Sequence, residues 1–402
     1  MTRMSYSKFL AASVAALSLL CAVSCEEEKK NPLDELLTKV DVTGGPTANC
    51  YIVPPLSDFT FDARYKGNST EPVGKAAGAV LLWQDAKSLV MSIDYDAKKG
   101  RVRVRTSGVS GNAVVAVVSK DNTVLWSWHL WVTDYKPEAS LFTSPANAAG
   151  TTWTFMDRNL GALGTAHEGT VSHGNFYQWG RKDPFPKAAT EVEQNADYTY
   201  INDGEPEVYD IDNKVLPTTY ALAEGNGSVE KSVANPRVFY KVLSVNTGEF
   251  DEYGEEIKVN VPESKDWADT SDDDRWGGVS MKKSLYDPCP AGYKVPVCDA
   301  EGNSPYGWMA YAGMTWDKEN GGAEDHGQWF PGECTRVNYS GGLDYGSNRY
   351  SGMWTGTARQ LATSANPEKY SYYSFVISGK RNYARFMSDS RSQGLSLRCV
   401  TE

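Results

Sequence analysis

From residue 47 to residue 133 the chain is built of short stretches in which apolar and polar positions alternate. Phe59, Phe61, Ala63 and Tyr65 interleave with Asp58, Thr60, Asp62 and Arg64, a period of two that predicts a half-buried strand. Further strands are predicted over 49–53, 79–83, 88–95, 101–106, 113–119 and 124–133, with Pro54-Pro55 and Asp121-Asn122 as turns. Short strands punctuated by Gly, Asn and Lys fit an Ig-like β-sandwich of about 90 residues, expected over 46–136. Within it, Val102 and Val104 alternate with Arg101, Arg103 and Arg105. The three arginines are expected on the solvated side of an amphipathic strand, paired with nearby carboxylates.

The texture changes after residue 133. Tyr135-Lys136-Pro137 and the small residues Ser144 to Gly150 predict a connection over 137–150. From 151 to 402 strand-like pieces (152–157, 237–244, 372–377, 383–387, 395–400) are separated by polar, Gly-rich loops. One second domain with insertions accounts for this pattern, giving a mainly β chain with an α+β second part. The composition agrees: 36 Gly, 19 Pro, 12 Trp, 23 Tyr and 12 Phe favour turns and short strands over long helices. A formal charge of −11 without a basic cluster excludes nucleic acid as a partner.

The first residues have a different character. Arg3 and Lys8 precede an apolar run from Phe9 to Val23, the arrangement of an export signal. The run ends Ala22-Val23-Ser24-Cys25, which resembles the lipobox of bacterial lipoproteins. That resemblance implies a signal over 1–24 and acylation of Cys25. Residues 25–45 then form a charged tether, with a short helix expected over 33–40. The acidic Glu26-Glu27-Glu28 resembles the export signal of Bacteroidetes lipoproteins, implying an outer-membrane protein displayed on the cell surface and held there through lipid at Cys25.

Five cysteines remain after Cys25: Cys50, Cys289, Cys298, Cys334 and Cys399. An oxidising compartment permits disulfides, and an odd count leaves at least one thiol. Cys289 with Cys399 would close a loop of about 110 residues, worth at most ~4–5 kcal/mol, with Cys298 and Cys334 as the natural second pair. Cys50, in a strand-like run, is expected as a buried thiol. No two of the five have the spacing of a zinc site, so no metal is expected.

Two segments carry resemblances to known families. Thr47 to Val53 and Trp126 to Thr133 resemble the N-terminal β-sandwich module of fimbrillin-associated Bacteroidetes surface lipoproteins. Gly174 to Pro186, Tyr286-Asp287-Pro288-Cys289-Pro290-Ala291-Gly292-Tyr293-Lys294-Val295-Pro296 and Gly394 to Val400 are similar to the Fibrobacter succinogenes major paralogous domain family. That likeness implies a divergent C-type-lectin-like fold over 151–402, with Cys289 bonded to Cys399. After Pro296 the sequence leaves the family pattern, and a shortened or displaced first helix is expected.

Candidate chemistry is sparse. The sugar-binding calcium triplets of lectins are missing, and Asp269, Asp272, Asp273 and Asp274 lack calcium-loop spacing, so a solvated acidic loop is expected. His167 and His173 are too far apart for the helical zinc motif, and no Gly-x-Ser-x-Gly elbow occurs. No catalytic residue, metal or cofactor is therefore assigned. Aromatic residues crowd 308–354: Trp308, Tyr311, Trp316, Trp329, Tyr339, Tyr345, Tyr350 and Trp354. Most are expected in the core. Tyr345 and Tyr350, with Asp344, Asn348 and Arg349 beside them, are the expected exposed ligand-binding set. The sequence thus predicts non-enzymatic recognition or adhesion, as a minor or tip component of a fimbria with fimbrial subunits as partners. The alternative is a glycan-binding lipoprotein of a polysaccharide-uptake system.

Overall fold

Strands of the N-terminal region pair into two four-stranded sheets. In chain order they are β1 (Thr38–Asp41), β2 (Cys50–Val53), β3 (Ser57–Asp62), β4 (Gly78–Gln84), β5 (Val90–Asp96), β6 (Arg101–Thr106), β7 (Gly111–Val118) and β8 (Val124–Val132). The computed structural model describes residues 35–188, 205–250, 256–261, 266–309, 315–317, 321–344, 350–358, 374–378, 383–387 and 389–402. One sheet has the order β1-β3-β6-β5 and the other β2-β8-β7-β4. Two of the pairings, β1 with β3 and β2 with β8, are parallel.

The period of two decides what fills the space between the sheets. Phe59, Phe61, Val102 and Val104 from one sheet meet Val115, Val117, Trp126, Trp128 and Leu130 from the other in a single core. Phe61 meets the Trp128 ring edge-on at 5.1 Å, an arrangement that favours aromatic pairs beyond the area they bury. On the outer face of the first sheet the three arginines of β6 form a central row. Arg101 lies between Asp62 and Asp96, Arg103 between Thr60 and Asp94, and Arg105 between Asp58 and Ser92. Arg103 Nε donates to Asp58 Oδ1 at 2.5 Å. The expected pairing of this row with carboxylates is therefore observed.

The central strands of the second sheet, β7 and most of β8, are buried on both faces. The sheet's outer side carries Asn112, Val114, Ser127, His129 and Trp131, all buried under the chain that follows. Trp131 Nε1 donates to Ala162 O at 3.1 Å, and Asn112 Nδ2 donates to Gly161 O at 3.0 Å. Ser127 donates to Asp183 at 2.6 Å. Residues 38–402 accordingly make up one compact unit.

After residue 136 much of the pairing becomes short, the longer exceptions being Leu243–Phe250 with Glu256–Val261 and the three five-residue strands Tyr350–Trp354, Ser374–Ser378 and Tyr383–Met387. The stretch expected as a connection holds a 3-10 turn, Pro137–Ala139, and a strand, Phe142–Thr143. That strand pairs with Thr154–Phe155, which pairs with the terminal Val400–Thr401, which pairs with Tyr293–Lys294. The α-helix Val229–Ala234 is six residues long and capped by Ser228, whose hydroxyl accepts the Lys231 N–H. The short helix expected over 33–40 is replaced in its second half by β1. Thr38 and Val40 are β-branched, and pairing with β3 favours the extended form.

Candidate functional site

The turn 283–296 is built by its own polar side chains. Asp287 accepts from the Cys289 N–H through Oδ1 and from the Val295 N–H through Oδ2, both at 2.8 Å. Prolines at 288 and 290 remove competing donors, so the carboxylate fixes the turn. Lys283 Nζ lies inside it and donates to the carbonyls of Cys289, Pro290 and Tyr293. Burial pushes the Asp287 carboxyl up to about 6 and draws the Lys283 ammonium down. Cys289 is bonded to Cys399 with Cα atoms 6.0 Å apart, tying the turn to the terminal strand. Asn49 and Asn68 clamp it from the N-terminal side. Asn49 Nδ2 donates to the carbonyls of Leu285 and Asp287, and Asn68 Nδ2 to those of Ser284 and Asp287.

Two open clefts flank this turn and meet at Ala291. The first, of about 720 Å³, is lined by β2 at Cys50–Ile52, by Tyr135 and Tyr293, and by Pro54, Pro137 and Pro290, while the Tyr51 ring packs on Phe59 and Phe61. β2 is the edge of its sheet, and on the cleft side a parallel bridge from Cys50 to Pro290 covers it in part. The Cys50 thiol is buried, and burial pushes its pKa up, as expected for an inert cysteine. The second cleft, of about 740 Å³, has Thr47, Asp62, Tyr65, Ser69, Thr70 and Glu402 among its walls. Rings, prolines and hydroxyls of this kind suit reversible contact with a sugar or an extended peptide.

The segment Gly174–Pro186, by contrast, is spent on packing. Gln178 Nε2 donates to the carbonyls of Tyr240 and Ser392, while its Oε1 accepts from Arg181. Arg181 also donates to Val238 O and Pro236 O, and its guanidinium lies over the Phe185 ring. Lys182 Nζ reaches Ser127 Oγ at 2.5 Å and Asp183 Oδ1 at 2.7 Å, and burial draws its pKa down. A serine beside a lysine and a carboxylate is the composition of a nucleophilic site. Here all three side chains are enclosed and each already holds the others.

A second enclosed cluster centres on Glu333. It accepts from Asn159 Nδ2 at 2.7 Å, from the Gly174 N–H at 2.5 Å and from Ser396. Burial pushes its carboxyl up to about 7. His129, between Asn112 and Asn175, is pushed down to about 3 by burial, and His173 to about 4. Asp266 joins Arg275 and Arg391 at 3.2 and 3.3 Å in a third buried cluster. The acidic loop beside it is more engaged than expected. Asp273 pairs with Arg391, and Asp274 accepts the N–H groups of Val279 and Ser280.

No protein-family model matches this chain, and neither a curated protein nor a solved structure matches it.

Of the expected ligand set, Tyr345, Asn348 and Arg349 lie outside the described residues. Asp344 ends the two-residue strand Leu343–Asp344, and Tyr350 begins the strand Tyr350–Trp354. Among the other aromatics Trp329 and Trp354 are buried, as expected, whereas Tyr339 is 57% exposed. Cys25 also lies outside the described residues. The expected Cys298–Cys334 bridge is not formed. Cys334 packs with Phe176, Phe185 and Phe239, while Cys298 is held by its N–H to Thr357 Oγ1 at 2.8 Å, so the two thiols occupy separate packing environments. Among the described residues no three His, Cys, Asp or Glu side chains are placed to hold a metal, and no helix is long and apolar enough to cross a membrane. Sequence reasoning missed both clefts. The repeated Asn residues at 49 and 68, each next to a turn-rich stretch, were the available signal.

Proposed function

We propose that this chain is an exported lipoprotein, anchored through Cys25 at the outer membrane surface, that acts by non-enzymatic recognition or adhesion. The observation that carries the reading is how the polar chemistry is divided. The Ser127–Lys182–Asp183, Glu333 and Asp266 clusters are enclosed, while the two clefts beside the turn 283–296 open to solvent. A protein so arranged presents shape, rings and hydroxyls rather than a reactive group. The fold we propose is an Ig-like sandwich followed by a C-type-lectin-like domain. The Cys289–Cys399 bond and the terminal strand paired beside Thr154–Phe155 support it. Within this reading the chain is a minor or tip component of a fimbria, with fimbrial subunits as partners.

The glycan-binding alternative draws support from the cleft lined by Tyr51, Tyr135 and Tyr293. The two separate experimentally. The full chain, expressed in an outer-membrane bacterium, incorporates labelled palmitate and is reached by antibody on intact cells; Cys25→Ser loses both. A soluble form beginning after Cys25, which keeps β1 intact, is then screened on a glycan array with and without chelator and used to capture surface proteins. Recovery of pilus subunits supports the fimbrial role, and saturable glycan binding supports the alternative. A C25S chain that still takes up palmitate overturns the anchor.

A further inference from the structure

The hairpin formed by Gly322–Asp325 and Gln328–Pro331 turns tightly at His326-Gly327, both with positive φ. Glu324 and Trp329 are directly paired across it. The indole of Trp329 is held on several sides. Its Nε1 donates to Ser172 Oγ at 3.2 Å, the main-chain carbonyl of Trp329 accepts from Arg398 at 2.6 Å, and Gly322 approaches the six-membered ring so closely that a Cβ there would lie 2.3 Å from Cζ2. A face of the indole is covered by the imidazole of His167, with ring centroids 4.0 Å apart and planes 13° from parallel. His167 Nε2 is 3.7 Å from Glu324 Oε2.

The strap that carries His167 is loosely attached. Its neck closes where the N–H groups of Leu163 and Gly164 both donate to Val171 O, at 2.8 and 3.0 Å. Between them, Thr165, Ala166 and Glu168 are exposed, and Gly169 adopts a positive φ of 71°. His167 is thus the point at which this strap meets the hairpin. The imidazole and the Glu324 carboxylate are both partly solvated, so their contact at 3.7 Å holds weakly.

We infer that His167 is a removable cover over a sugar-stacking platform made of Trp329 and Glu324, and that the ligand is the pyranose ring of a glycan. A rigid indole offers a flat face to the C–H groups of a sugar ring, and needs no rearrangement of its own to receive one. The imidazole already fills that place as a flat ring. Glu324, 53% exposed, faces His167 Nε2 at 3.7 Å in the covered state and is free to accept from a sugar hydroxyl in the occupied one. Displacing His167 requires only the strap to swing about Gly164 and Gly169, leaving the hairpin as it stands. The covered form lowers apparent affinity by the fraction of molecules in which the platform is closed.

This inference rests on the recognition reading and names its ligand class and site, so the experiment separates the two. The soluble chain beginning after Cys25 is prepared as wild type, His167→Ala and Glu324→Gln; both substituted side chains are partly exposed, so the fold is expected to be retained. Acrylamide quenching of tryptophan fluorescence is expected to rise in H167A. Immobilised oligosaccharides of mannose, galactose, glucose and N-acetylglucosamine serve as probes. H167A is expected to bind about fivefold more tightly than wild type, the factor that ~1 kcal/mol of removed cover is worth, and E324Q more weakly. Unchanged quenching in H167A overturns the cover. Glycan binding that is equal in all three proteins overturns the platform while leaving recognition standing, since the sugar then sits elsewhere. Silence of every protein on every probe also overturns the platform, and the capture of surface proteins decides separately on the wider reading.

Discussion

The two sheets of residues 38–132 and the segments that follow fill their interiors by opposite means. In the first region long ladders satisfy the backbone, so the core between the sheets is aliphatic and aromatic, and arginines stay on the outer face. In the second region many β-pairs are two residues long, and Arg181, Arg275, Arg336, Arg391 and Arg398 are all turned inward. The link is physical. Irregular backbone leaves carbonyls without ladder partners, and a planar guanidinium with five donors can serve several at once. Arg181, bonded to Gln178, Val238 and Pro236, does the work that neighbouring strands do elsewhere.

This contrast can be broken most severely at the disulfide. Cys399→Ser opens a link across 110 residues in the region with the least ladder support. In the chain-entropy account the loss is ~4–5 kcal/mol, read as a lower urea midpoint, and reduction of the wild type with dithiothreitol should reproduce it. A midpoint unchanged by either treatment would mean that the buried arginine network alone holds the second region.

Next in size is the response to pH, where one buried group from each region, Glu333 and His129, responds in opposite directions. Burial holds the Glu333 proton to about pH 7 in the folded chain, whereas an exposed glutamate releases it near 4.5, so folding gives up stability as pH rises between those values. The stability difference between Glu333→Gln and wild type should therefore move toward the variant, by up to about 3 kcal/mol, from pH 4.5 to 7 and stay level above. His129, on β8, runs the other way. Its folded value of about 3 lies below the ordinary 6.5, so wild type loses stability as pH falls from 6.5, and His129→Gln removes that loss. Denaturation curves at several pH values check both slopes, and parallel curves would contradict the burial argument.

The smallest effect is expected on the arginine row. Arg103→Ala removes a partly solvated pair with Asp58 and should cost about 1 kcal/mol or less, shrinking further in high salt. A loss as large as that of the disulfide would erase the distinction between the two regions.

What could be read from the sequence follows the same division. The strand Arg101–Thr106 and the inward Phe59 and Phe61 were legible, because a period of two is a local signal. That Ser127, His129 and Trp131 face another layer of protein was not, since alternation tells the two sides of a strand apart but not what covers the second. The family-implied link from Cys289 to Cys399 is present, whereas the expected Cys298–Cys334 pair failed because pairing depends on where loops settle in space. Lys182, Asp183 and Glu333 read as ordinary charged residues; their enclosure arises from contacts more than fifty positions away. The clefts belong to that same non-local class: the first is formed by β2, the 133–138 stretch and the 290–293 turn, and the second joins residues 45–47 and 62–70 to Lys283, Gly292 and Glu402.

The parallel pairing of β1 with β3 also bears on mechanics. A chain held at its N-terminus transmits load first into Thr38–Asp41, at the edge of its sheet, where four residue pairs join it to β3. A pull directed along that strand loads its hydrogen bonds together in shear rather than opening them one after another. The first strand beyond the proposed lipid anchor is therefore placed to resist a drag force that would peel a hairpin end apart.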